Sequence, residues 1–184
     1  MQRVATTVVA VVGAARAPRA CVERLAGAAN VRTVLPDPDA PPLDRAVDAW
    51  SAAAGAHVPY LVHDADPLEA VADAWVRRFD GAGPVGELEV AVAETLTRWR
   101  TGSFELPDYY VVVDPDALGP TRRHWYLGLL HGRAPGRVVP VVRPGDLPRE
   151  LRRLAPARWW PPLDRLLDGI DRVVPDRVGI AAGA

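Results

Sequence analysis

Five short apolar runs rich in valine recur along the chain, spaced widely enough for a helix to lie between successive runs. Apolar and polar residues do not alternate within them, which is typical of strands buried on both faces of a parallel sheet. The predicted strands are Thr7–Val12, Val31–Leu35, Val58–Val62, Tyr109–Val113 and Arg137–Val142. The pattern therefore predicts a mostly parallel five-stranded sheet with helices on both of its faces.

Between these runs, apolar residues recur with the 3.6-residue period of amphipathic helices. Stripes begin at Leu43, Leu68 and Leu88, and a last stripe predicts a terminal helix over Leu163–Val174. Asp66 followed by Glu69 has the spacing of a capping box at a helix start. We expect a doubly wound, three-layer α/β fold with right-handed crossovers. Residues 1–184 would form one domain, with residues 144–184 as a C-terminal helical arm packed on the sheet.

Composition limits the functions open to this chain. With 22 basic and 23 acidic residues the net charge is −1, so no strongly basic surface for nucleic acid is predicted. No apolar run reaches the roughly 18 residues of a membrane span, and we expect a cytoplasmic protein. All the basic residues are arginine, which excludes a catalytic lysine. Cys21 is the single cysteine, so no intrachain disulfide can form.

The segment Gly13–Ala20 joins the first predicted strand to the first predicted helix. Its length is that of a P-loop, whose pattern is G-x-x-x-x-G-K-[ST]. Pro18, Arg19 and Ala20 stand where that pattern has glycine, lysine and a hydroxyl residue. A plain strand–turn–helix corner, in which Pro18 begins the helix, is an equally good interpretation of the same residues.

Later segments add to this pattern in chain order. Asp64 follows the third strand where an Asp-x-x-Gly motif would lie, with Pro67 in place of its glycine. Asp116 follows the fourth strand at the aspartate of an Asn-Lys-x-Asp motif. Together the segments resemble a GTPase domain of the P-loop superfamily whose motifs are largely lost. A helix over Pro41–Ala54 is unlike the hairpin of translation-factor GTPases and also suits a parallel P-loop relative or a flavodoxin-like fold.

The resemblance implies a P-loop-NTPase-like or Rossmann-like fold that has lost catalysis. Pro18 offers no backbone N–H to a phosphate, and Ala20 has no hydroxyl for Mg²⁺. It implies a protein-binding or regulatory subunit with little or no NTP hydrolysis, no obligatory cofactor and at most weak guanine-nucleotide binding. In such a complex Gly13, Arg16 and Arg19 would face the phosphates and Asp116 the base, while Asp64 would keep the place of the Asp-x-x-Gly aspartate.

A second interpretation starts from aspartate pairs that follow predicted strands. Carboxylates at the carboxyl ends of parallel strands can hold Mg²⁺ or Mn²⁺ beside a phosphate. Asp64, Asp66, Asp114 and Asp116 would then serve a phosphate or nucleotide-sugar enzyme, and the fourth strand with its Asp-x-Asp resembles metal-dependent glycosyltransferases. His63 is the general-base candidate. Helix caps and turns are the structural alternative for each pair.

Arginine and aromatic residues cluster in two later segments. Such residues dominate binding hot spots because they bury large areas and carry directional donors. The candidate partner-binding residues are Arg122, Arg123, Trp125, Arg158, Trp159 and Trp160. A protein partner is therefore expected, and both self-association and assembly with a different chain stay open.

Overall fold

The computed structural model describes residues 6–155 and 160–175. Its centre is one sheet of five strands, all parallel, in the order β2-β3-β1-β4-β5. The strands are β1 (Thr7–Gly13), β2 (Val31–Val34), β3 (Tyr60–His63), β4 (Tyr109–Val113) and β5 (Val138–Val141). All five predicted strands are confirmed, and the α/β class is as the valine-rich runs predict.

Helices connect the strands and follow the last of them. They are α1 (Ala17–Arg24), α2 (Pro42–Ala54), α3 (Glu69–Phe79), α4 (Glu87–Arg100), α5 (Pro120–His124), a π-helix (Trp125–Leu130), α6 (His131–Arg133), α7 (Leu147–Leu151) and α8 (Leu163–Leu167). Short 3₁₀ turns occupy Pro115–Ala117, Pro144–Asp146 and Ile170–Arg172. Among the described residues, no helix is both long enough and apolar enough to cross a membrane.

Helices cover both faces of the sheet, which gives three layers. On one face, apolar side chains of α1 and α7 pack against alternate residues of β1 and β4, Val9 and Val111 among them. On the other face, α2, α3, α4, the π-helix and α8 enclose a larger core around Trp75 and Trp125. Because both faces are buried, the strands need apolar residues at successive positions, which explains their lack of alternation.

The predicted terminal helix over Leu163–Val174 is wrong in its length. The helix α8 ends at Leu167, where Asp168 becomes extended with ψ 130° and Gly169 takes a left-handed φ of +62°. Glycine adopts that conformation without a steric penalty, so the chain can turn there. The apolar stripe continues because Ile170, beyond the break, packs into the same core. Residues 156–159 and 176–184 of the predicted arm lie outside the described residues.

Strand order places β1 at the middle of the sheet, between β3 and β4. A flavodoxin-like sheet has the order 2-1-3-4-5, so that alternative is wrong. The chain leaves β1 towards one edge of the sheet and leaves β4 towards the other. Such a divergence opens a crevice at the carboxyl ends of the strands, which is where ligands bind in open parallel sheets.

The segment from α5 to α6 contains a turn that the sequence did not predict. A π-helix over Trp125–Leu130 lies between the two short α-helices. Such wide turns are rare and often mark functional sites. This one buries the neighbouring residues Trp125 and Tyr126 together, and Tyr126 reaches the carboxyl edge of the sheet.

Candidate functional site

A cleft of about 210 Å³ opens at the carboxyl end of β1. Four arginines line this β1 cleft, one from the corner after β1 and one from each of three helices. They are Arg16 from the β1–α1 corner, Arg19 from α1, Arg45 from α2 and Arg122 from α5. The remaining lining residues are Val11, Val12, Gly13, Ala15, Pro18, Pro38, Asp64, Asp66, Glu69 and Tyr126.

The corner after β1 is short. The strand ends at Gly13 and α1 begins at Ala17, so few residues remain to wrap around a phosphate. The N–H of Ala17 donates to the carbonyl of Ala14 at 3.1 Å, and Ala15 takes a left-handed φ of 46°. Pro18 lies in the first turn of the helix, where its missing N–H leaves no helical bond unmade. The structure therefore has the plain strand–turn–helix corner.

Gly13 is explained by the packing of the sheet. A Cβ atom at this position would lie 2.7 Å from the carbonyl oxygen of Val113 and 2.9 Å from its Cγ2 atom. Only glycine lets β4 approach so closely at the end of β1. Gly13 lines the cleft as predicted, but its close contact with β4 alone accounts for the residue type.

Four of the five predicted nucleotide-binding residues line the cleft, namely Gly13, Arg16, Arg19 and Asp64. Arg19 donates through Nη1 to the carbonyl of Pro36 at 3.0 Å and lies 3.4 Å from Oδ2 of Asp64. Burial raises the pKa of Asp64, and the charge of Arg19 opposes that rise. Arg16 is exposed on the corner. Arg16, Arg19 and Asp64 therefore share one wall of the cleft.

Asp66 forms the floor of the cleft and is 4% exposed. Its Oδ1 accepts from the N–H of Leu68 at 2.8 Å and from the hydroxyl of Tyr110 at 2.9 Å, and its Oδ2 accepts from the hydroxyl of Tyr126 at 2.8 Å. Burial raises the pKa of Asp66 and also those of both phenols. Three donors thus compensate a carboxyl group that is removed from water.

The predicted capping box is wrong. The helix α3 begins at Glu69, and the side chain of Glu69 forms an ion pair with Arg45 of α2. Asp66 still restrains the approach to the helix by accepting from the N–H of Leu68. Two charged groups of neighbouring helices in one layer therefore meet where the sequence predicted a local cap.

Both arginines of the inner wall of the cleft form ion pairs. Glu69 pairs with Arg45, and Arg122 pairs with Asp73 of α3. Burial, reinforced by the charge of Asp66, raises the pKa of Glu69 to about 7, against the opposing charge of Arg45. The Nε atom of Arg45 is buried and has no acceptor in the described part of the chain.

Sequence reasoning missed Arg45 and Glu69. Both lie near the start of a helix that follows a strand, which is the end of the helix nearest the carboxyl edge of the sheet. Their position at the start of such a helix was the sequence feature that could have indicated both residues as candidates for the site. The pairing of the two residues depends on how α2 packs beside α3, which no local pattern shows.

Asp114 and Asp116 do not join Asp64 and Asp66. Asp114 takes a left-handed φ of 47° after β4, and Asp116 is exposed and pairs with Arg123 at 2.9 Å. Asp116 lines a separate groove of about 550 Å³, here termed the β4 groove. Its other lining residues are Leu118, Pro120, Arg123, His124, Leu127 and Gly128. Within residues 6–155 and 160–175, no group of three or more histidine, cysteine or acidic residues could hold a metal ion.

The structure places His63, the general-base candidate, away from the cleft. It is 4% exposed on β3 and does not line the cleft. Burial lowers its pKa to about 4, so its ring is neutral at pH 7.

Of the four described partner-binding candidates, the two tryptophans serve the fold. Trp125 is fully buried, so its assignment as a partner contact is wrong. Trp160 packs edge-on against Tyr110, with ring centroids 5.7 Å apart, and donates to the carbonyl of Pro107 at 2.7 Å. Arg122 lies in the β1 cleft and Arg123 at the β4 groove. Arg158 and Trp159 lie outside the described residues.

No protein-family model, no curated protein and no solved structure matches this chain. The resemblance to P-loop GTPases therefore stays a prediction.

Proposed function

We propose that this protein is a P-loop-like binding or regulatory subunit that holds a phosphate-bearing ligand in the β1 cleft and does not hydrolyse it. The observation that carries the proposal is the convergence of four arginines, from three helices and the corner before the first of them, on one small cleft. We expect the subunit to act in the cytoplasm through a protein partner that responds to the ligand.

The charge balance of the cleft favours an anion. The cleft is lined by four arginines and by three carboxyl groups, those of Asp64, Asp66 and Glu69. A fourth carboxyl group, that of Asp73, lies outside the lining and pairs with Arg122. Burial raises the pKa of all three lining carboxyl groups, and that of Glu69 rises to about 7, so Glu69 is only partly ionised at neutral pH. Arginine suits phosphate because its planar guanidinium can donate two parallel hydrogen bonds to it.

Hydrolysis of the P-loop type lacks its chemical groups here. The corner has no lysine, and Ala20 offers no hydroxyl for a metal ion. The negative charge that develops in the transition state would therefore lack the lysine and the bound metal ion that normally stabilise it. Of the four carboxylates in the metal-enzyme interpretation, Asp64 and Asp66 line the cleft and Asp116 lines the β4 groove, which argues against one metal site shared by all four.

Thermal denaturation with added anions tests the proposal. A ligand that binds only the folded state raises the melting temperature by mass action. We expect saturable increases with GDP, GTP and inorganic phosphate, without a requirement for Mg²⁺, and no phosphate release from GTP above the protein-free rate. The Arg16→Ala variant removes one of the four arginines that line the cleft and should lose most of the increase. Because Arg16 is exposed, its removal should leave the core intact.

Arg149→Ala is the matched control, since Arg149 is an exposed arginine on α7, away from the cleft. It should respond to anions as the wild type does. Equal responses of Arg16→Ala and Arg149→Ala, or no response of the wild type at millimolar ligand, would contradict the proposal.

A further inference from the structure

A carboxylate of the protein itself already forms an ion pair with one arginine of the β1 cleft. Glu69 projects from the first turn of α3 onto the guanidinium of Arg45, while the Nε atom of Arg45 has no acceptor among the described residues. A guanidinium that binds phosphate through two parallel hydrogen bonds would need its Nη2 group, which in Arg45 now donates to Glu69. A bound anion and Glu69 therefore compete for Arg45.

We propose that an anion entering the β1 cleft displaces Glu69 from Arg45, and that the displaced carboxylate takes up one proton from water. Glu69 thereby sets the pH range over which the cleft accepts its ligand. This inference rests on the proposed function and names the regulation of the same site. The proton comes from a hydronium ion or a buffer acid in the solvent, whose bond to the proton breaks as the new O–H bond forms on a carboxylate oxygen of Glu69.

The groups around Glu69 explain why the displaced carboxylate would not stay ionised. Arg45 of α2 is its ion-pair partner. Asp66, before α3, and Asp73, on the same helix, act on it as like charges. Arg122 of α5 is the other nearby cation, but it is already paired with Asp73. Once an anion holds Arg45, Glu69 is left half-buried among negative groups.

Electrostatics gives the direction of the effect. With Arg45 in place, the pKa of Glu69 is already about 7. Loss of an opposite charge and arrival of an anion both raise the pKa of a carboxyl group. The bound state should therefore hold Glu69 protonated well above pH 7, and ligand affinity should fall as the pH rises past 7.

Calorimetric titration with sulfate tests the inference. Sulfate mimics phosphate but stays doubly charged through neutral pH, so any proton exchanged belongs to the protein. At pH 8, a pKa of about 7 leaves roughly nine-tenths of Glu69 ionised. Titrations in two buffers of different ionisation enthalpy should then show uptake of nearly one proton per sulfate bound by the wild type.

The Glu69→Gln variant supplies the comparison. Glutamine keeps the size of the side chain but cannot ionise, so this variant should bind sulfate without proton uptake. At pH 8 it should bind about tenfold more tightly than the wild type, because only about a tenth of the wild type holds Glu69 protonated. The control is Glu89→Gln, which removes an exposed carboxylate of α4 that pairs with Arg78 of α3. It should behave as the wild type does.

The outcomes separate this inference from the proposed function. Sulfate binding by the wild type without proton uptake would overturn the role of Glu69 and leave the proposed function standing, even if Glu69→Gln failed to fold. Equal affinities of Glu69→Gln and wild type at pH 8 would do the same. Absence of sulfate binding to both proteins would overturn both.

Discussion

The β1 cleft and the β4 groove lie at the ends of neighbouring strands and look alike in sequence. Each follows a valine-rich strand and holds an aspartate beside an arginine. A non-glycine residue with left-handed φ also follows each strand, Ala15 after β1 and Asp114 after β4. The groove is the larger, at about 550 Å³ against about 210 Å³ for the cleft. Volume alone would select the groove.

Burial and the origin of the charged groups separate the two places. In the groove, the side chains of Asp116 and Arg123 are 66% and 50% exposed and come from one short stretch of chain. Exposed pairs of this kind contribute little to stability or specificity. In the cleft, charged groups from several elements meet around a buried carboxyl group. Retaining buried charge requires partners, so it marks a functional site more strongly than volume does.

The largest difference between the two places should come from their aspartates. We expect Asp66→Ala to lower the free energy of unfolding by about 2–5 kcal/mol, because it leaves the Tyr110 and Tyr126 hydroxyls buried without an acceptor. Asp116→Ala should change it by less than about 0.5 kcal/mol. Urea denaturation of both variants measures the difference. Similar losses in the two would contradict the contrast in burial.

Glycines give the next largest difference. Gly13→Ala should lower the free energy of unfolding by about 1–3 kcal/mol, since its Cβ would be forced against the backbone of Val113. Gly119, before α5, has open space around it and an ordinary φ of −57°. Gly119→Ala should therefore be neutral within about 0.5 kcal/mol in the same denaturation experiment. A neutral Gly13→Ala variant would show that β4 is not so close to the end of β1.

The pH dependence of stability should carry a contribution from Glu69 that the groove cannot supply. Its pKa is raised from 4.5 to about 7 in the folded protein, so between these values the folded state binds more protons than the unfolded state. The free energy of unfolding should therefore fall as the pH rises from about 4.5 to about 7. Glu69→Gln should weaken this fall in denaturation curves measured at several pH values, whereas Asp116→Asn should not. An unchanged pH profile of Glu69→Gln would contradict the burial of that carboxyl group.

The smallest expected effect concerns the two left-handed residues. Left-handed φ costs alanine about 1 kcal/mol, whereas aspartate tolerates it better. Ala15→Gly should therefore raise the free energy of unfolding by up to about 1 kcal/mol, less the entropy that glycine adds to the unfolded chain. Asp114→Gly should raise it by less or lower it. Thermal denaturation of the two variants measures these changes. A larger stabilisation by Asp114→Gly than by Ala15→Gly would show that the greater backbone strain lies after β4.

The fold could be predicted from the sequence more fully than the site. Valine-rich runs and apolar stripes depend on local periodicity, and they located every strand of the sheet. The break at Gly169 and the π-helix at Trp125 escaped because a periodic stripe does not show where the backbone turns or widens. Arg19 and Asp64 were predicted to share a site and do so. Arg45 and Glu69 were missed because only tertiary packing brings α2 and α3 together.

An arginine-detected NMR titration tests the central claim most directly. The chain has no lysine, so its basic side chains are 22 arginines and four histidines. Each arginine Nε–Hε group can give its own signal. On addition of inorganic phosphate, the signals of Arg16, Arg19, Arg45 and Arg122 should shift together and saturate, while that of Arg123 at the β4 groove stays unchanged. Shifts centred on Arg123, or small unsaturated shifts spread over the exposed arginines, would contradict an anion site at the end of β1.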